Sequence, residues 1–187
     1  MTESDRDAVI TERLLVRPPR EADRERFVEL FMSVEFMVFY GRARTVAEAS
    51  RRFDRMTEVC RTVPFGKQPV VERSSGRVVG YTGAGYIEYA GRTWLEWGWR
   101  LVPECRGRGY ATEATRALLA KARRSHPDDL LVIIVPENLP SQNVARKLGC
   151  EFWKQDRVEG YLCNLYLLPA EASAGAPVEA PAGGPIW

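Results

Sequence analysis

Two glycines set between arginines, in Arg106-Gly107-Arg108-Gly109-Tyr110-Ala111, stand where an alternating strand gives way to an amphipathic helix. The first turn of a helix leaves backbone N–H groups without intrahelical acceptors, and its aligned peptide dipoles place partial positive charge there. Glycine removes the side chains that would hold an anion off those donors and allows positive φ angles. From residue 100 to 124 the chain carries seven Lys or Arg against two acids, Glu104 and Glu113, so the spacing predicts a ligand with several negative charges, such as a pyrophosphate. A plain turn with solvated arginines is the competing reading. Further residues near this loop bear chemistry. Glu96, on the preceding strand, is a candidate general base, or else a solvated or ion-paired carboxylate. Ser141 is a candidate proton donor or a helix cap, and Asn138 a hydrogen-bonding partner for amides or carbonyls.

The elements around these residues follow from periodicity. In the strand, Leu95, Trp97, Trp99 and Leu101 share one face, and Trp94, Glu96, Gly98 and Arg100 the other. Glu96 is thereby directed to a cleft or to solvent. The helix after the loop buries Ala111, Ala114, Thr115, Leu118, Leu119 and Ala122. Upstream, residues 1–10 are polar and read as loose. Leu14–Val16 is a short strand, and Arg20 to about Ser33 a helix with Phe27, Leu30, Phe31 and Val34 inward. The apolar stretch from Phe36 to Tyr40 is core packing or the wall of a substrate cleft. Thr45-x-x-Glu48 is a capping box opening a helix that carries Val46, Ala49, Phe53, Met56 and Cys60 inward. Strands at Gln68–Glu72 and Val78–Ile87, with turns at Ser74-Ser75-Gly76 and Ala90-Gly91, make an antiparallel meander into the Glu96 strand. Beyond His126-Pro127, Leu130–Val135 has the continuous apolar character of a strand covered on both faces. Ser141–Leu148 reads as a short helix ended by Gly149, followed by a closing hairpin of Glu151–Gln155 and Tyr161–Leu168. Twelve of the eighteen residues from Ala170 on are Ala, Gly or Pro, which predicts a disordered tail after a single domain spanning residues 1–169. The expected fold class is α/β, a mixed and mostly antiparallel sheet with helices on both faces.

Arg106-x-x-Gly109-x-Ala111 after an apolar strand resembles the acyl-CoA-binding signature of the GNAT acetyltransferases. RGRGYATEA, together with Asn138-Leu-Pro-Ser141-Gln-Asn143-Val-Ala-Arg-Lys147-Leu-Gly149, is similar to the ribosomal-protein alanine N-acetyltransferase branch (RimJ/RimL type). Cys150 stands where that branch has Phe. The resemblance implies the GNAT fold, whose fourth and fifth strands splay apart to receive the thioester arm. It implies acetyl-CoA as cofactor, with Leu101, Val102, Arg106, Gly107, Arg108, Gly109, Tyr110, Ala111, Asn138, Ser141 and Asn143 contacting it. The Arg106 and Arg108 side chains would add charge-assisted contacts to the pyrophosphate. It further implies Glu96 as base, Ser141 as acid in place of the tyrosine that many members carry where Ala145 lies, and an oxyanion donor at an irregularity near Gly98 or Leu101. The acceptor is an amine: by analogy a protein N-terminal α-amine, alternatively a small amine of aminoglycoside or polyamine type. A non-catalytic acyl-CoA-binding regulatory module is the rival from another class.

Composition bounds the rest. With 187 residues, 45% hydrophobic, and a net charge of +2, the chain is an ordinary globular domain with no basic face for nucleic acid beyond one loop and helix. There is no apolar run long enough for a membrane span and no signal core at the N-terminus, and four scattered cysteines with a single histidine, His126, give no metal site. A cytoplasmic protein, monomer or homodimer, with reduced thiols is expected.

Overall fold

The computed structural model describes residues 7–39, 42–126 and 128–169. An eight-stranded sheet runs in the order β1-β2-β3-β4-β5-β6-β8-β7. Its strands are β1 (Val9–Ile10), β2 (Leu14–Val16), β3 (Gln68–Glu72), β4 (Val78–Tyr89), β5 (Arg92–Leu101), β6 (Leu130–Ile134), β7 (Glu151–Val158) and β8 (Tyr161–Leu168). Every neighbouring pair is antiparallel except β5 and β6. Those two run parallel and are in register at one pair only, Glu96 with Leu131. Beyond it they diverge, and the second half of β5 faces an open gap.

Helices cover both faces. On one lie α1 (Arg24–Met32), the single turn α2 (Val34–Met37) and α3 (Val46–Thr62); on the other lie α4 (Tyr110–Ala122) and α5 (Leu139–Lys147). The α3 start is the expected capping box: Thr45 Oγ1 accepts from Glu48 N, and Glu48 Oε2 accepts from Thr45 N at 2.9 Å. Phe27, Phe31, Phe36 and Phe53 pack under these helices, with Tyr81 of β4 meeting Phe31 and Phe36 edge-on. On the α4 side, Thr115 and Thr82 share a hydrogen bond of 2.7 Å, and Trp97 Nε1 donates to Thr82 at 3.2 Å, so these three buried polar groups are partnered. Gly83 on β4 has φ +139°, and a Cβ there would sit 2.1 Å from the Gly66 carbonyl oxygen. The segment ahead of β3 therefore presses directly on the middle of the sheet.

Several expectations change. Val9 and Ile10 are paired with β2 rather than loose, while residues 1–6 and the tail from 170 lie outside the described residues. The first helix breaks at Ser33, whose hydroxyl accepts from Phe36 N and starts α2. Phe36 and Met37 are buried core, Val38 is exposed, Phe39 borders a cavity described below, and Tyr40 is outside the described residues. Val46 points to solvent, because the first residue of α3 precedes the turn that packs inward. The last helix begins at Leu139, two residues earlier than Ser141, since Asn138 supplies the cap.

Candidate active site

The loop between β5 and α4 turns through Gly107 at φ +74° and Gly109 at φ +82°, conformations that side chains rarely adopt. Gly107, Arg108, Gly109, Tyr110, Ala111 and Thr112 donate no backbone hydrogen bond to any described residue; the first helical bond of α4 is Glu113 N to Gly109 O. Six consecutive amide donors are thus left open, and no side chain caps the helix. Glu113, the one acid in that turn, is tied down by Thr11 Oγ1 at 2.6 Å and Arg13 Nε at 2.7 Å. Burial alone would raise its carboxyl, but the Thr11 and Arg13 hydrogen bonds outweigh it and hold it below the usual range. Its carboxylate, so held, does not compete for the open amides.

The arginines of the loop hold it from behind instead of reaching outward. Arg106 donates through Nε to Leu101 O at 3.1 Å and through Nη2 to Glu35 O at 2.7 Å. Arg108 lies over the Tyr110 ring and within 3.4 Å of Glu72 Oε1; Arg13 covers the same ring and donates to Arg108 O at 3.0 Å. Tyr110 is buried, its hydroxyl on Glu72, so only its amide is open. In this geometry the main chain offers the open donors, while the Arg106 and Arg108 guanidinium groups are held by oxygens of the chain itself.

Along β5, Val102 N donates to Val79 O of β4. In an antiparallel ladder the alternate residues Leu101 and Trp99 then turn their main-chain groups away from β4, into the gap, while those of Trp97 face β6 at the Glu96–Leu131 pair. Val102 itself has nothing left to offer, since its carbonyl accepts from Cys105 N and its side chain is buried; Leu101 keeps its N–H. The irregularity expected near Gly98 or Leu101 is absent: β4 and β5 stay in register from Gly80–Leu101 to Tyr89–Arg92. Across the gap, Asn138 is buried and its Oδ1 accepts from Ser141 N at 3.2 Å, so Asn138 and not Ser141 is the cap. The half-buried Ser141 hydroxyl makes no hydrogen bond among the described residues, and Asn143 is exposed and bonded to Arg146.

Glu96 faces the α1–α3 side and is 2% exposed, turned neither to open cleft nor to solvent. Its Oε2 is 3.1 Å from Lys67 Nζ, a buried ion pair, and its Oε1 lies beside Gly98, where a Cβ would stand 3.1 Å away. Trp94 does not border this site; it packs with Ile87, Leu131 and Trp153. Next to the pair is Tyr81. Burial pushes its phenol up, yet Arg100, Arg52 and Lys67 together outweigh that and hold it below its ordinary value. Arg52 is itself pulled down by burial. The sequence reading missed Lys67, Tyr81, Arg52 and Arg100. The available signal was weak: Tyr81 and Arg100 face each other across β4–β5, on the same side as Glu96.

Residues 13–151 match the Acetyltransferase (GNAT) domain family, three quarters of the chain's length, and the chain belongs to that family: a GNAT-type, acetyl-CoA-dependent acetyltransferase. It is 25% identical over 142 residues to the uncharacterized N-acetyltransferase YnaD of Bacillus subtilis, covering 75% of this chain and 81% of that one. Among solved structures it is similar to a GNAT-family acetyltransferase from Bordetella pertussis, with a TM-score of 0.74, 23% identity, and 86% and 98% of the two chains covered. It also resembles RimL, a ribosomal L7/L12 α-N-protein acetyltransferase in complex with coenzyme A, with a TM-score of 0.72, 14% identity, and 89% and 99% covered. The α/β GNAT fold with splayed central strands stands as read. No helix among the described residues is long and apolar enough to cross a membrane.

Proposed function

We propose that the chain acetylates a primary amine, with the α-amine of a protein N-terminus as acceptor, as in the RimJ/RimL branch. The observation that carries the donor half is the run of open amides from Gly107 to Thr112 beside a gap edged by the unpaired half of β5. The residues fit a coenzyme A diphosphate: six donors at a positive helix end, with no carboxylate free to oppose it. Acetyl-CoA supplies an acyl carbon whose C–S bond breaks as the amine nitrogen bonds to it. The Leu101 and Trp99 main chain orients the extended arm as an added strand would be held. The amine must lose one proton and the departing thiolate must gain one. Glu96 takes the first, through a bridging water because its own carboxylate is buried, and Ser141 gives the second. Isothermal titration with coenzyme A tests the donor site; absence of binding removes the reading. For the acceptor half, mass spectrometry over N-terminal peptides decides, with Glu96→Gln expected to lower kcat/KM at least a hundredfold and Ser141→Ala about tenfold.

A further inference from the structure

Past the end of β6, on the Glu96 face of the sheet, lies a cavity of about 380 Å³. Its floor is apolar, from Ile133 and Val135 of the β6 end and Val158 and Cys163 of the closing hairpin. Its rim is cationic, with Arg42, Arg44 and Arg52. These three differ in what they already hold. Arg42 is spent on Glu48, at 2.9 Å and 2.5 Å. Arg52 stacks over Phe31 at 5.1 Å and touches Tyr81, and burial lowers the guanidinium, as expected of a cation without a full counter-charge. Arg44 is half-buried, and its side chain makes no hydrogen bond or ion pair among the described residues.

The acid facing them from the β7–β8 turn is Glu159, whose carboxyl burial raises above its usual value. Beyond Arg52 come Arg100 and the Lys67–Glu96 pair. The lining charge is therefore two arginines left over against one carboxylate that burial disfavours. The cavity opens next to the gap between β5 and β6, where the thioester would arrive, and Arg52 connects it to the Tyr81–Lys67 cluster.

We infer that the acceptor carries an acid group, a carboxylate or a phosphate, close to its reactive amine, and that Arg44 and Arg52 receive it. This rests on the acetyltransfer reading above and specifies its substrate class. A planar guanidinium pair in a half-dry pocket recognises such oxyanions by paired charge-assisted hydrogen bonds. The same pocket disfavours polycations, so aminoglycosides and polyamines are poor acceptors. For a protein N-terminus, it selects Asp or Glu in the first few positions.

The test compares kcat/KM at saturating acetyl-CoA for four acceptors: a Ser-Glu-Asp-Ala peptide, its Ser-Gln-Asn-Ala counterpart, O-phosphoethanolamine and ethanolamine. The acid-bearing member of a pair is expected to win by tenfold or more, chiefly in KM. Arg44→Gln should shrink that ratio severalfold, as should raising the salt. Preference confined to the small amines, with both peptides inert, supports the acid inference and overturns the N-terminal acceptor. Equal use of acidic and neutral members overturns the acid inference and leaves acetyltransfer standing. An Arg44→Gln ratio equal to that of the parent protein overturns it too, and no transfer to any of the four overturns both.

Discussion

At the head of α4 the polar groups are open peptide N–H groups, whereas beneath α1–α3 they are side chains: guanidinium, ammonium, phenol and carboxylate. The first region is contiguous in sequence, from Gly107 to Thr112, and its side chains point backward as braces. The second is assembled from far apart: Lys67 reaches Glu96 across 29 positions, and Arg44 and Arg52 face a hairpin more than a hundred residues on. A main-chain site needs only two permissive residues and a helix start. A side-chain site needs the whole fold to bring its members together, and the buried ones depend on their partners for their very presence. Damage should therefore look different in the two places.

The largest effect is expected where a charge loses its partner. Lys67→Ala leaves Glu96 buried and alone and should destabilise the fold by about 3–5 kcal/mol, whereas Lys67→Met with Glu96→Leu should restore most of it. Urea denaturation of the two variants measures this, and equal losses would mean that the pair is not the buried unit described. Arg106→Ala comes next. It removes two charge-assisted bonds to carbonyls, costing about 2 kcal/mol of stability, while the salt dependence of coenzyme A binding stays as it was. A shallower salt slope would show that Arg106 grips phosphate after all, and the contrast between brace and donor would fail.

Gly109→Val acts on the backbone alone. A β-branched residue at φ +82° is strained by roughly 1–2 kcal/mol, so coenzyme A should bind about tenfold more weakly with little change in acceptor KM. An acceptor KM that rises equally would erase the division between the two regions. The smallest effect belongs to pH. Glu113 has its folded value depressed, so the stability of its Thr11 and Arg13 contacts is fully present above the ordinary carboxylate range. It is lost as pH falls below about 4 through the lower folded value. Denaturation midpoints between pH 6 and pH 3 should fall more steeply in the parent than in Glu113→Gln; parallel curves would show that this anchor of α4 carries no weight.

The same contrast explains what could be read from sequence. The strand–glycine–helix unit is local chemistry, and its residues announce themselves by spacing; so do the α3 capping box and the doubly covered β6. The hydrophobic pattern also located the strands from β2 to β8 along the chain. Local rules do not say where a long side chain goes once the fold has closed. Arg106 and Arg108 read as ligand contacts because cations near a glycine turn usually are, but the Leu101, Glu35 and Glu72 oxygens that claim them come from the fold. Glu96 was legible as special, but its partner was not. Lys67 lies between Gly66 and a strand, in a position that alternation does not assign to either face. Ser141 read as a cap because the helix start was placed two residues late; Asn138, with Pro140 in the first turn, was the better cap all along.

Gly83 carries no functional group and stands apart from every reacting atom, yet the Gly66 carbonyl presses against it so closely that no larger residue fits. Any side chain there would shove aside the stretch that delivers the Lys67 ammonium. A saturation library scored by activity alone would flag this position as harshly as Glu96 itself, and the flag would mark a keyhole in the scaffold, through which a distant lysine is threaded.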